Sequence, residues 1–255
     1  MGPTERTLVR SLLSLPLICS IVETDIRRSQ DGLLNFMAQK AGLAVVSIGY
    51  RLAPEDPYPA GPNGCYDAAD YLAAQGPTRF GAPLIFMGGE SAGAHLTAAT
   101  MLHLATSQPQ LRLRGLVLHF GCYDLSAFLP AVHHFDRPLI IYEPIMTQFR
   151  KAFLPGTTET QRRDPAISPF FADWRAVAAR LDGGLPPALF TCGTEDPLVD
   201  DSVLMAAKWG MAGGEATLKI YTGAPHGFIV FDGKVLKAAE EGMRDLETYL
   251  LEKMA

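Results

Sequence analysis

The feature that most constrains this chain is the run Met87, Gly88, Gly89, Glu90, Ser91, Ala92, Gly93, entered by an apolar stretch from Pro83 to Met87 and followed by an alanine-rich segment. The pattern is GxSxG at the junction of a strand with a helix. It demands a strained turn that holds Ser91 at its apex, and Gly89 and Gly93 flank the serine where side chains would collide with neighbouring backbone. Ala92, Ala94, Ala98 and Ala99 then let a helix pack closely against the sheet and support Ser91 from beneath.

The rest of the chain fits the kind of fold that such a turn requires. Short apolar runs at Leu43 to Gly49, Leu84 to Met87, Leu113 to Phe120, Pro187 to Cys192 and Ala216 to Tyr221 read as strands with helical patterns between them. That alternation predicts an α/β fold, a mostly parallel sheet with helices on both faces. Unbroken apolar strands such as Leu43 to Ile48 suit burial on both sides. A last helix is expected from about Asp232 and Gly233, with Leu236, Ala239, Met243, Leu246 and Leu250 as its buried stripe and Glu240, Glu241, Arg244 and Glu247 facing water. Residues 123–180 break the alternation. Phe128, Phe135, Tyr142, Met146, Phe149, Phe153, Phe170, Phe171 and Trp174 crowd there, as expected of a lid inserted between strands, with core filling around a long connection as the plainer reading.

Composition narrows the partners. The 255 residues are 48% apolar and 19% charged with a net charge of −5, a globular profile that argues against nucleic acid as the main partner. Cys19, Cys65, Cys122 and Cys192 include no CxxC pair, so buried reduced thiols are expected and no metal site. Arg6 and Arg10 before the apolar run Leu12 to Val22 resemble the start of a signal peptide, but Pro16 interrupts the run and no small-x-small cleavage site precedes Glu23. The run is too short to span a membrane. Lys253, Met254, Ala255 matches the peroxisomal address poorly, which leaves a cytoplasmic protein as the default expectation, over a peroxisomal or secreted one.

A nucleophilic serine needs a base, and the base needs an acid to hold its tautomer. Asp196 follows the strand Pro187 to Cys192, and His226 follows the strand Ala216 to Tyr221, both at the carboxyl ends where parallel sheets place their sites. His226 is the sole histidine after residue 134. His95 and His103 on the helix behind the turn and His119 in a strand read as packing residues, and His133 and His134 fall in the inserted segment. Glu195 adjoins Asp196, while Asp200 and Asp201 stand where a helix begins and read as capping residues. Ser91, Asp196 and His226 are therefore the candidate catalytic residues.

The same residues resemble the hormone-sensitive-lipase-like branch of the α/β-hydrolases, the GDXG or fold-3 esterases. Tyr50, Arg51, Leu52, Ala53, Pro54, Glu55 looks like that branch's YRLAPE segment, and Ser91 lies in its GDSAG box with Glu90 in place of aspartate. Ile167, Ser168, Pro169 and Leu185, Pro186, Pro187 also fit, so that the likeness covers residues 29–255 and leaves 1–28 as an atypical N-terminal segment. The resemblance implies hydrolysis of a small or medium acyl ester through an acyl-enzyme without cofactor. It implies the backbone N–H of Ala92 as an oxyanion donor, and a structural role for Tyr50 and Arg51. The family's HGGG box, due near Leu17 to Ile26, is not there, and the N-terminal strands of the family are expected to be missing; a wrong first exon in the gene model is the favoured account. The wording from Asp31 to Asp67 looks most like fungal members of secondary metabolism, which keeps thioester or lactone hydrolysis and acyl transfer open. A catalytically impaired small-molecule-binding protein on this fold is the third reading. Specificity and oligomeric state are not legible.

Overall fold

The computed structural model describes residues 17–22 and 27–255, with side chains from residue 32 onward. In chain order the elements are β1 (Leu17–Val22), α1 (Arg27–Ala41), β2 (Ala44–Gly49), α2 (Ala60–Phe80), β3 (Leu84–Glu90), α3 (Ala92–Ser107), β4 (Gly115–His119), α4 (Pro130–His134), α5 (Glu143–Phe153), α6 (Glu159–Arg162), α7 (Trp174–Arg180), β5 (Ala188–Glu195), α8 (Val199–Met211), β6 (Ala216–Pro225) and α9 (Lys237–Met254), with short 3-10 turns at Pro169–Phe171 and Phe228–Val230. Among the described residues the strands form one sheet in the order β2-β1-β3-β4-β5-β6, with every neighbouring pair parallel.

The apolar runs become strands because their alternate residues serve two cores. In β4, Leu116 and Leu118 enter the core shared with α2, α3 and α8, while Val117 joins Leu33 and Met37 of α1 and Leu246 and Leu250 of α9 on the other face. In β5, Phe190 and Leu189 divide in the same way. Helix α3 is buried continuously from Gly93 to Met101, as a helix apolar on all sides must be.

Three strands run further than their apolar cores suggest. β3 continues to Glu90, β5 to Glu195 and β6 to Pro225, so that Ser91, Asp196 and His226 are each the first residue past a strand end. β1 was not among the expected strands. It lies between β2 and β3, with Leu17 opposite Ala44 and Ile18 opposite Phe86, and occupies the second half of the apolar run that reads like a leader. The window expected for an HGGG box thus begins as this strand, and its remainder, residues 23–26, lies outside the described residues, as does most of the atypical segment before β1.

Helix α9 corrects one expectation, because it begins at Lys237 and not near Asp232. The Asp232 side chain accepts the N–H of Lys234 at 2.9 Å, and its carbonyl accepts those of Val235 and Leu236, which closes a separate turn first. Ala239, Leu246 and Leu250 are buried as expected, and Met243 is half-buried.

Between β4 and β5 polar contacts tie the short helices together. The Ser168 hydroxyl donates to the Arg162 carbonyl at 2.6 Å and accepts from the Leu125 N–H at 2.9 Å, within a fully buried side chain. Arg162 in turn donates to the carbonyls of Leu125, Ser126 and Thr157. Asp200 and Asp201 belong to this network and do not cap α8. Asp200 accepts the N–H of Ala131 in α4, and Asp201 accepts those of Tyr123 and Asp124 at 2.5 and 3.0 Å. The first turn of α8 is covered by this connection, so its two acids meet the connection's free backbone donors.

Candidate active site

Ser91 has a positive φ, 52° with ψ −114°, a backbone conformation that a non-glycine residue adopts only under constraint. The constraint is visible on both sides. Its N–H donates to the His119 carbonyl at 2.9 Å, which ties the turn to β4, and its carbonyl accepts the N–H groups of Ala94 and His95. A Cβ on Gly89 would run into the carbonyl group of Gly93, so the close crossing of these two residues is possible only with glycine at 89.

The carboxyl ends of parallel strands share one edge of the sheet, and the residues that follow β3, β5 and β6 meet there. His226 Nε2 lies 2.9 Å from Ser91 Oγ, and His226 Nδ1 lies 2.8 Å from Asp196 Oδ2. Asp196 Oδ1 accepts the Leu198 N–H at 2.9 Å, so both carboxylate oxygens are engaged. Since a carboxylate only accepts, Nδ1 carries the imidazole proton and Nε2 presents its lone pair to the serine. Asp196 and His226 are buried, and the Phe120 ring stands edge-on to His226 with centroids 4.9 Å apart. Ala92 is the first residue of α3, where a backbone N–H has no partner within the helix, and it lines the same cavity as Ser91. The rest of the HGGG window after β1, residues 23–26, lies outside the described residues.

That cavity holds about 260 Å³ and is walled mainly by apolar groups. Phe128, Met146, Phe149 and Phe153 of the inserted segment line it, whereas Trp174 packs into the main core with Phe170 against it, and Phe135, Tyr142 and Phe171 do not reach it. Tyr50 and Arg51 also line it, beyond the structural part the resemblance implies. A second groove of about 470 Å³ beside α3 and α7 contains none of the three candidate catalytic residues.

His95 and Arg150 also stand on this wall. His95, a packing residue by its sequence, is buried and also reaches the cavity wall, with Nδ1 donating to the Cys122 carbonyl at 2.8 Å and burial driving its pKa down to about 4. Its spacing of four from Ser91 on one helix face was the available signal. Arg150 comes from α5, and no local pattern links it to the elbow. Glu90, the departure from the GDSAG pattern, has its carboxyl pushed up to about 7 by burial. His119 bonds Thr191 Oγ1 at 2.6 Å inside the sheet, and His103 pairs with Asp70 and stacks on Tyr66, so these two remain structural. His133 bonds Glu143 and His134 the Pro130 carbonyl, both on the exposed side of α4. The three cysteines with described side chains are free thiols. Among the described residues no group of three or more His, Cys, Asp or Glu could hold a metal ion, and no helix is long and apolar enough to cross a membrane.

Comparison with known proteins adds to this geometry. A family model described as the alpha/beta hydrolase fold matches residues 23–230. An esterase of Acinetobacter venetianus is 32% identical over 202 residues, 78% of this chain and 62% of that protein. An AB hydrolase superfamily protein of Schizosaccharomyces pombe is 29% identical over 223 residues, 82% of this chain and 61% of that one. The bacterial and the yeast relative match about equally, so the fungal leaning of Asp31 to Asp67 is not sharpened. A hormone-sensitive lipase from a metagenome library superposes with a TM-score of 0.80 at 27% identity, covering 94% of this chain and 77% of that one. The chain spans about three fifths of the length of these two curated relatives.

Proposed function

Since the chain belongs to the alpha/beta hydrolase fold family, we propose that it hydrolyses carboxylic esters, with Ser91 as nucleophile, His226 as base and then acid, and Asp196 as the group that orients the histidine. The observation that carries this reading is the continuous hydrogen-bonded line from Ser91 Oγ through His226 to Asp196, opening on an apolar cavity. In the first half-reaction Ser91 Oγ attacks the acyl carbon as Nε2 takes its proton, and the oxyanion that forms lies against the Ala92 N–H at the amino end of α3. The imidazolium gives that proton to the leaving alkoxide, and Asp196 stabilises the cation while it lasts. Water then repeats the sequence on the acyl-enzyme. The inserted segment supplies much of the pocket wall and acts in this reading as the lid that selects the acyl or alcohol group. Names of relatives, an esterase and a hormone-sensitive lipase, support the same chemistry.

A panel of p-nitrophenyl esters and matching thioesters of graded acyl length tests the proposal. Turnover is expected for short and medium esters, declining once the acyl chain outgrows the cavity. Ser91→Ala is expected to lower kcat by at least about a thousandfold, since single losses in such a unit cost that much or more. Retention of most turnover by folded Ser91→Ala would remove the serine from the mechanism.

A further inference from the structure

Arg51 and Arg150 both line the cavity that contains Ser91, and no carboxylate lines it. Arg51 is engaged at its tip, with Nη2 donating to the Ala60 carbonyl at 3.2 Å and Nη1 4.0 Å from the Asp56 carboxylate. Arg150 differs. Its Nη1 donates to the Ser126 carbonyl at 3.2 Å, and its guanidinium carbon lies 4.2 Å from the centroid of the Phe128 ring. Neither acid whose charge reaches it is paired with it: Asp124 Oδ1 accepts both the N–H and the hydroxyl of Ser126, and Glu143 Oε1 meets His133 at 2.9 Å. Arg162 shares the Ser126 carbonyl at 2.7 Å, so a second cation stands beside the first. Burial and this like charge both push the Arg150 pKa down, against the opposing pull of those two acids. A guanidinium has five N–H donors in a planar fork that matches a carboxylate. Here a ring and a carbonyl hold that fork on an apolar wall, and no carboxylate among the described residues pairs with it.

We propose that Arg150 is an anion subsite of this cavity, and that the ester the chain hydrolyses carries a carboxylate, as the hemi-ester of a dicarboxylic acid does. The inference rests on the esterase reading above. It adds the charge of the substrate to that reading. Either half of the ester can carry the anion, and two arms of one experiment separate the halves.

The first arm compares kcat/KM for p-nitrophenyl hemi-glutarate with that for p-nitrophenyl valerate, and the second compares carboxymethyl butyrate with propyl butyrate, all on the full chain. One anionic ester is expected to be favoured over its neutral partner by about tenfold to a hundredfold at low salt, the range of a charge-assisted hydrogen bond. The preference should shrink as salt is added. Arg150→Met is expected to abolish the anionic-to-neutral ratio, and Arg150→Lys to keep part of it. The proposal is overturned if the wild type shows no preference in either arm, or if Arg150→Met lowers both partners equally and leaves the ratio intact. Should the methionine variant fail to fold, the wild-type ratio, its salt dependence and the lysine variant decide the matter. Turnover without preference defeats this proposal alone, whereas absence of turnover of all four esters by folded protein defeats the esterase reading and this proposal together.

Discussion

Asp196 shows what one side chain can specify, because each of its oxygens has a different duty. Oδ2 meets His226 Nδ1 at 2.8 Å and Oδ1 takes the Leu198 N–H at 2.9 Å, in a group almost without exposure. In Asp196→Asn one oxygen must become an NH2 group. With the carboxamide oxygen kept on Leu198, the NH2 faces Nδ1, which then has to accept, and the imidazole proton moves to Nε2 where it faces the serine. The shape survives and the tautomer is wrong. We expect kcat to fall by about three to four powers of ten with an unchanged circular dichroism spectrum, as such a swap costs in a comparable triad. Near-normal turnover would contradict the assigned role. These three residues were legible in the sequence because each follows an apolar run that reads as a strand, and chemistry limits which residue types serve there. Arg150 was not, since a cavity wall is assembled by packing between elements and leaves little periodic trace along any one of them.

Helix α8 carries the clearest element-scale consequence. Asp201 in its first turn is fully buried and receives two backbone N–H groups from the connection after β4. Burial raises its pKa to about 8, against the opposing pull of those two donors. The folded state therefore holds a proton that the unfolded chain gives up near the ordinary aspartate value, about 3.9. Its contribution to stability is complete below that value and is lost as pH rises towards the folded pKa. Asp201→Asn removes this dependence while keeping an acceptor oxygen for the two donors. Unfolding free energies from urea titrations of both proteins from about pH 5 to pH 8 should diverge in favour of the variant, by about 1 kcal/mol per pH unit over most of that window. A difference that stays constant with pH would contradict it. The sequence offered only two acids at a helix start, for which capping is the ordinary reading. What redirected them is the covering segment, and nothing local announces a tertiary donor some 77 residues away.

At the scale of the molecule, the site follows from sheet direction. Ser91 and His226 are 135 residues apart, and they meet because parallel strands deliver their carboxyl ends to one edge. Most of the sheet was legible as apolar runs of strand length, but β1 was not. Its six residues follow basic residues at the amino end of the chain, which makes them look like part of a leader until their pairing with β2 and β3 is seen. Strand pairing is a property of distant partners, so one short run cannot reveal it. The central claim is that this convergence makes Ser91 a nucleophile. Incubation of the folded protein with a fluorophosphonate, followed by intact-mass and peptide mass spectrometry, reads that claim directly. A single adduct on the Ser91 peptide of the wild type, lost in Ser91→Ala and strongly slowed in Asp196→Asn, is the expected result; folded wild type that takes up no probe, or an adduct that survives in Ser91→Ala, would contradict it.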